Sequence, residues 1–125
     1  ASLSQENAVA VIDPAARKVV KKIPVGPGPI QVYATPDSRL LFVANQGSKR
    51  APGRTVSVID LATLEVTKTI ETAAGAHGVV VGADGRYVYV TNIYANSVSV
   101  IEVKELKVVA TVPVGNGPNG VSVTP

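Results

Sequence analysis

The fold of this chain is decided by residues 83–102, which read ADGRYVYVTNIYANSVSVIE. Two short runs in this stretch alternate apolar and polar residues, Tyr87–Thr91 and Val98–Ile101, and four residues with a turn-forming asparagine lie between Asn92 and Ser97. A period of two is typical of strands that bury one face, and turn residues between two such runs indicate an antiparallel pair. The stretch therefore predicts two neighbouring antiparallel strands.

The same pattern recurs along the chain in one register. Three blocks repeat: Val9–Asp13 with Val56–Asp60 and Val98–Glu102, Pro36–Asn45 with Ala83–Asn92, and Ile23–Pro29 with Val112–Pro118. The interval is 47 residues from Asp13 to Asp60 and 42 residues from Asp60 to Glu102. The difference falls within Gln46–Arg54, where we predict a surface loop insertion.

Each repeat contains four alternating runs, which we label A to D. Run A covers Ile30–Thr35, His77–Val81 and Asn119–Val123; run B covers Leu40–Ala44 and Tyr87–Thr91; run C covers Ala8–Ile12, Val56–Ile59 and Val98–Ile101; run D covers Lys18–Ile23, Glu65–Ile70 and Lys107–Val112. Four antiparallel strands in about 42 residues are typical of a β-propeller blade. The 24 valines against 6 leucines and the 20 Gly and Pro residues also favour strands and tight turns. We expect an all-β chain in which run A is the innermost strand and no helix exceeds two turns.

The repeats divide the chain into a partial β-propeller spanning residues 1–125. Repeat 1 covers 7–54, repeat 2 covers 55–96, and a partial repeat 3 covers 97–125. About three repeats of 42 residues leave the ring incomplete, because propellers typically have 4 to 8 blades. We expect residues 8–23 and 119–123 to pair with strands from the remaining blades or from another protein chain, and the opening seven residues to be the end of a further B strand.

The composition excludes several classes of function. There is no cysteine, so disulfides, thiolate metal sites and covalent haem attachment through C-x-x-C-H are excluded within this stretch. A net charge of +3 with 4% aromatic residues argues against a nucleic-acid partner. No apolar run approaches the roughly 20 residues of a membrane span.

A family resemblance follows from the repeat motif. Tyr89-Val90-Thr91-Asn92, preceded by Ala83–Arg86 and followed by Asn96–Ile101, resembles the repeat of the YVTN family of β-propellers, and the Pro-Val-Gly-x-Gly-Pro segments resemble its D to A loop. The resemblance departs at Phe42–Asn45, at Glu71–Ala74 and in the long insertion. It implies a periplasmic, secreted or cell-surface protein, with relatives among lactonase-like propellers, streptogramin lyases and the d1-haem domain of nitrite reductase.

Candidate ligand-binding residues gather on the face that carries the D to A and B to C loops. His77, the single histidine, opens an A strand, and its equivalent in the next repeat is Asn119. It could ligate haem or a metal or act as a general base, or it could be a hydrogen-bonded residue at the channel mouth. Lys49, Arg50 and Arg54 place three positive charges in the insertion on the same face.

Other recurrent polar residues have a structural interpretation. Asn45 and Asn92 end the B strands, where we expect their side chains to satisfy backbone groups of the B to C turn. The aspartates recur at blade spacing in turns on the opposite face: Asp13, Asp37, Asp60 and Asp84. They are too far apart for a paired-carboxylate site.

The sequence contains no constellation of acid, base, nucleophile and metal ligands, and it gives no indication of a cofactor. We therefore expect a non-catalytic propeller module that presents loops to a protein or cell-surface partner. The alternative is part of an enzyme or cofactor-binding propeller, lactonase-like or d1-haem-like, with His77 near the channel.

Overall fold

The computed structural model describes residues 1–124 and is all-β. Its strands are β1 Ser2–Leu3, β2 Ala8–Asp13, β3 Lys18–Pro24, β4 Pro29–Ala34, β5 Leu40–Gly47, β6 Pro52–Asp60, β7 Glu65–Glu71, β8 Ala76–Val81, β9 Tyr87–Asn92, β10 Ser97–Glu102 and β11 Lys107–Pro113. The only helix within residues 1–124 is a single 3₁₀ turn, Ser4–Glu6.

The strands form three antiparallel sheets. Two are complete four-stranded blades, ordered β4-β5-β6-β7 and β8-β9-β10-β11, and the third is a three-stranded sheet, β1-β2-β3. The sequence prediction of four-stranded sheets within residues 30–70 and 77–112 is therefore confirmed. β1 pairs with β2 through Ser2 and Val9, in the way that β5 pairs with β6, so Ser2–Leu3 take the position of a B strand in this sheet.

The blades fan out from their inner strands. β4 and β5 pack closely against β8, whereas the outer strands β7 and β11 make far fewer contacts with each other. Phe42 and Val58 of one blade share a fully buried core with Val79 and Val90 of the next. This divergence makes β4 and β8 the innermost strands, and apolar burial between sheet faces holds the blades together.

The turns repeat with the strands. Asp13 Oδ1 accepts from the Ala15 and Ala16 N–H groups, and Asp60 caps its turn in the same way. In the A to B turns, Asp37 and Asp84 accept from the N–H two residues on, at 3.1 and 3.0 Å. All four aspartates are turn residues, as predicted.

The insertion predicted at 46–54 is present, but most of it is not a loop. β5 continues to Gly47 and β6 begins at Pro52, with Gly47 paired to Pro52. The extra residues therefore lengthen a hairpin, which the Ser48 N–H closes by donating to the Ala51 carbonyl at 3.0 Å. Backbone pairing satisfies groups that an irregular loop would leave to water.

The prediction of a strand at 119–123 is wrong. This segment lies beside the last blade, where the Asn119 carbonyl accepts from Thr91 Oγ1 at 3.3 Å, but it has no strand assignment. A strand exists only with a hydrogen-bonded neighbour, and residues 1–124 contain no B strand for this repeat. Its pairing with a strand from elsewhere, like that of 8–23, stays a prediction.

Candidate functional site

The inner strands are irregular at the loop-bearing face. In β8 the pairing register shifts between Ala76 and Val79, and β4 has the same shift between Pro29 and Val32. The Gly78 N–H, inside the bulge, donates to Thr91 Oγ1 at 2.8 Å. Bulges of this kind redirect side chains next to functional sites, and His77 occupies this one.

His77 is held by a side chain from the neighbouring blade. Its Nδ1 lies 2.6 Å from Gln46 Oε1, and Gln46 Nε2 donates to the Tyr94 hydroxyl at 2.8 Å. A carboxamide oxygen only accepts, so Nδ1 carries the proton in this arrangement. The neutral ring then has its lone pair on Nε2, which makes no hydrogen bond within residues 1–124.

Partial burial favours the neutral form of this ring. Desolvation lowers the pKa of His77 below its ordinary value of 6.5. The imidazole is therefore neutral at pH 7, and a neutral imidazole with an open nitrogen can ligate a metal, take up a proton or accept a hydrogen bond.

The Tyr94 ring packs directly against Gly75. Gly75 has a φ of 80°, and a Cβ at that position would lie 2.5 Å from Tyr94 Cδ2. The Tyr94 N–H donates to the Ala74 carbonyl at 3.2 Å. Only a residue without a side chain permits both the positive φ and this ring contact.

The predicted basic residues lie on the hairpin that begins beside His77. Lys49 and Arg50 are exposed near its tip, and Arg54 is exposed in β6. None of the three forms an ion pair within residues 1–124. The structure thus brings them to the same face as His77, with Gln46 at the base of the hairpin as the link.

Asn119, the repeat equivalent of His77, is exposed, and its side chain makes no hydrogen bond within the described range. Its carbonyl lies close to the inner strand, 2.6 Å from where a Gly78 Cβ would stand. Asn119 therefore shares the neighbourhood of His77 through its backbone.

The prediction for Asn45 and Asn92 is corrected. Both are fully buried, but their Nδ2 groups donate to hydroxyls: Asn45 to Thr55 and Ser57, and Asn92 to Ser97 and Ser99. Both Oδ1 atoms lack a partner within residues 1–124. The side chains thus link strands B and C through hydroxyl groups and make no hydrogen bond to the backbone of the turn within residues 1–124.

Sequence reasoning missed Gln46 and Tyr94 as parts of the site. The repeat pattern places Gln46 in a loop and Tyr94 in the B to C turn, where it predicts only a connection. The available signal in the sequence was a tyrosine in a turn, in a chain with only 4% aromatic residues. Within residues 1–124, no three His, Cys, Asp or Glu side chains form a cluster suited to a metal.

These features define a segment of a four-stranded-blade β-propeller with one open imidazole on its loop-bearing face. The chain belongs to the cytochrome D1 heme domain family, whose model matches residues 1–124. The sequence resemblance named the YVTN family first and d1-haem domains among its relatives. The family match supports the d1-haem domain and does not show the YVTN repeat.

Two solved structures share the fold. The chain resembles the Kuenenia stuttgartiensis hydrazine synthase with a TM-score of 0.84 and 24% identity, covering 94% of this chain and 33% of that one. It resembles the dihydro-heme d1 dehydrogenase NirN in complex with DHE with a TM-score of 0.74 and 22% identity, covering 88% and 22%. A comparison with curated sequences gave no match.

The family match changes the functional interpretation. A haem-domain family favours the cofactor-propeller alternative, and nothing in the comparisons supports the non-catalytic interaction module.

The described part of the chain has no helix long and apolar enough to cross a membrane.

Proposed function

We propose that this chain is part of the haem-binding propeller of a cytochrome D1-type protein and that His77 is its contact with the haem. The observation that carries the proposal is the state of the His77 ring: neutral, tied at Nδ1 by Gln46 and open at Nε2. The family supports haem as the group, in place of the expectation of no cofactor.

The residues on this face suit a haem. A neutral imidazole nitrogen is a common contact for haem iron, and haem carboxylates pair with arginine and lysine. Lys49, Arg50 and Arg54 would supply that positive charge, and Asn119 would add a polar group beside the inner strand. Because the chain has no cysteine, these contacts would hold the haem non-covalently. When bound, the haem supplies redox chemistry at its iron.

The remaining blades and the location also belong to this proposal. The chain spans 33% and 22% of the length of the two solved structures, which supports completion of the ring by further blades or another chain. The sequence resemblance implies a periplasmic, secreted or cell-surface protein, and of these we propose the periplasm.

The test is the variant His77→Asn in the intact protein, since Asn is the residue at the equivalent position 119. We expect the bound haem to change its absorption spectrum and its affinity to fall about tenfold or more, while the melting temperature of the haem-free protein at pH 7 holds. Lys107→Gln, on the outer strand β11, is the control. A His77→Asn protein with the wild-type spectrum and affinity would remove His77 from the haem site.

A further inference from the structure

We propose that Gln46 is a positioning residue: supplied by the neighbouring blade, it selects the Nδ1–H tautomer of His77, and a hydrogen bond to Tyr94 holds the Gln46 carboxamide within reach of the ring. The inference rests on the proposed function in one respect only, namely that the group facing His77 Nε2 is a haem. The hydrogen-bonded chain itself is a property of the fold.

The orientation of one carboxamide decides the tautomer. Gln46 directs Oε1 to His77 and Nε2 to the Tyr94 hydroxyl, at 2.6 and 2.8 Å. With this orientation the imidazole must donate from Nδ1, and its lone pair stays on Nε2. Reversal of the carboxamide would place an N–H against Nδ1 and move the ring proton to Nε2, which would then present a donor.

The backbone around Gln46 is anchored on both sides. The Gln46 N–H donates to the Gly28 carbonyl at 3.0 Å, and the Gly47 N–H donates to the Pro27 carbonyl at 2.9 Å. The end of β5 is therefore bonded to the loop that enters its own blade. A side chain projected from a fixed backbone is better suited to orient a neighbour than one from a mobile loop.

Tyr94 is anchored in the same way. Besides the Tyr94 bond to Ala74, the Ile93 N–H donates to the Gly75 carbonyl at 2.9 Å, and the ring lies over Gly75. The hydrogen bonds therefore connect three residues in series: Tyr94 in the B to C turn of one blade, Gln46 of the other blade, and His77 in the inner strand β8. His77 is placed by contacts from both blades.

The tautomer can be measured directly by ¹⁵N NMR on the intact protein before haem is added. The His77 signals are those lost in His77→Asn. In the wild-type protein we expect Nδ1 to be protonated and Nε2 to carry the lone pair. Gln46→Met, which keeps the length and removes the acceptor, should lower the ratio of the Nδ1–H to the Nε2–H form about five- to tenfold. Gln46→Glu restores an acceptor and, at a pH high enough to keep the ring neutral beside a carboxylate, should restore the wild-type tautomer.

A separate variant tests the hydrogen bond between Gln46 and Tyr94. Tyr94→Phe keeps the ring on Gly75 and removes the hydroxyl, so Gln46 loses one constraint and the ratio should fall in the same direction by a smaller factor, about twofold. The controls are Gln5→Met, at an exposed position in the 3₁₀ turn, and Tyr89→Phe, which change the same residue types without touching Gln46, and they should leave the ratio unchanged.

Two results would overturn the positioning role. One is a wild-type His77 protonated at Nε2, which needs no variant to fold. The other is an unchanged ratio in Gln46→Met. Both tautomer measurements are made without haem. The haem spectrum of His77→Asn tests the proposed function alone. Failure of the positioning role can therefore be distinguished from failure of the proposed function.

Discussion

Asn96 and Gly117 are joined by a hydrogen bond in which the Gly117 N–H donates to Asn96 Oδ1 at 3.0 Å. Both residues have positive φ, 50° and 63°. The same pair recurs earlier in the chain, where the Gly28 N–H donates to Asn7 Oδ1 at 2.9 Å. The bond ties the B to C turn to the loop that enters the next blade.

This bond predicts the effect of Asn96→Gly. Glycine keeps the positive φ and removes the acceptor, so the intact protein should lose about 1 kcal/mol of unfolding free energy in a urea titration. Asn116→Gly, a change of the same kind at an exposed asparagine nearby, should cost less. Equal losses in the two variants would mean that the bond contributes nothing.

Gly75→Ala tests the packing of the Tyr94 ring against Gly75. Gly75 and Gly117 both have positive φ, so alanine strains either backbone by about 1 kcal/mol. A Cβ at Gly75 also meets the Tyr94 ring, whereas one at Gly117 meets nothing within 4 Å. We expect Gly75→Ala to cost about 1–3 kcal/mol more than Gly117→Ala in unfolding titrations. Similar costs would show that the ring yields freely.

Asn92→Ala tests the buried polar layer. It leaves the buried Ser97 and Ser99 hydroxyls without their donor and opens a small cavity, so the unfolding free energy should fall by about 2–4 kcal/mol. Adding Ser99→Ala to this variant should cost less than Ser99→Ala alone, because the two residues share one bond. Additive losses would contradict the coupling.

The pH dependence of stability follows from His77. Its pKa is lowered by burial, so the unfolded chain binds the proton more readily than the folded one. Stability should therefore decrease as pH falls through 6.5 and level off once the folded ring is also protonated. The difference in melting temperature between the wild-type protein and His77→Asn, followed over pH, measures this contribution. A difference that does not vary with pH would contradict the lowered pKa.

The basic hairpin predicts a salt-dependent haem affinity. Replacing Lys49, Arg50 and Arg54 by Gln should weaken haem binding several-fold at low salt, and the difference should shrink as salt rises. Replacing Arg17, Lys18 and Lys21, which removes the same charge from the region of the outer strand β3, should have little effect. Equal effects of the two triple variants would assign the result to net charge alone.

The blades could be predicted because period-2 alternation and turn residues act within one repeat. The contact between Gln46 and His77 could not, since it joins side chains from two blades and alternation specifies faces within a strand only. The bulge at His77–Gly78 also breaks that alternation. The segment 119–123 has the right pattern for a strand but lacks a neighbour among the described residues, and pairing is what makes a strand.

The lengthened β5–β6 hairpin bears on how such repeats can change. In its blade the acceptor for the Gly75 N–H is the Gly53 main-chain carbonyl, at 2.7 Å, where the flanking repeats use an asparagine side chain. The Gly53 carbonyl lies outside the tip of the hairpin, so substitution of the exposed Lys49 and Arg50 leaves this hydrogen bond in place. The charge carried at the tip can therefore change while the connection between β6 and the loop before β8 is kept.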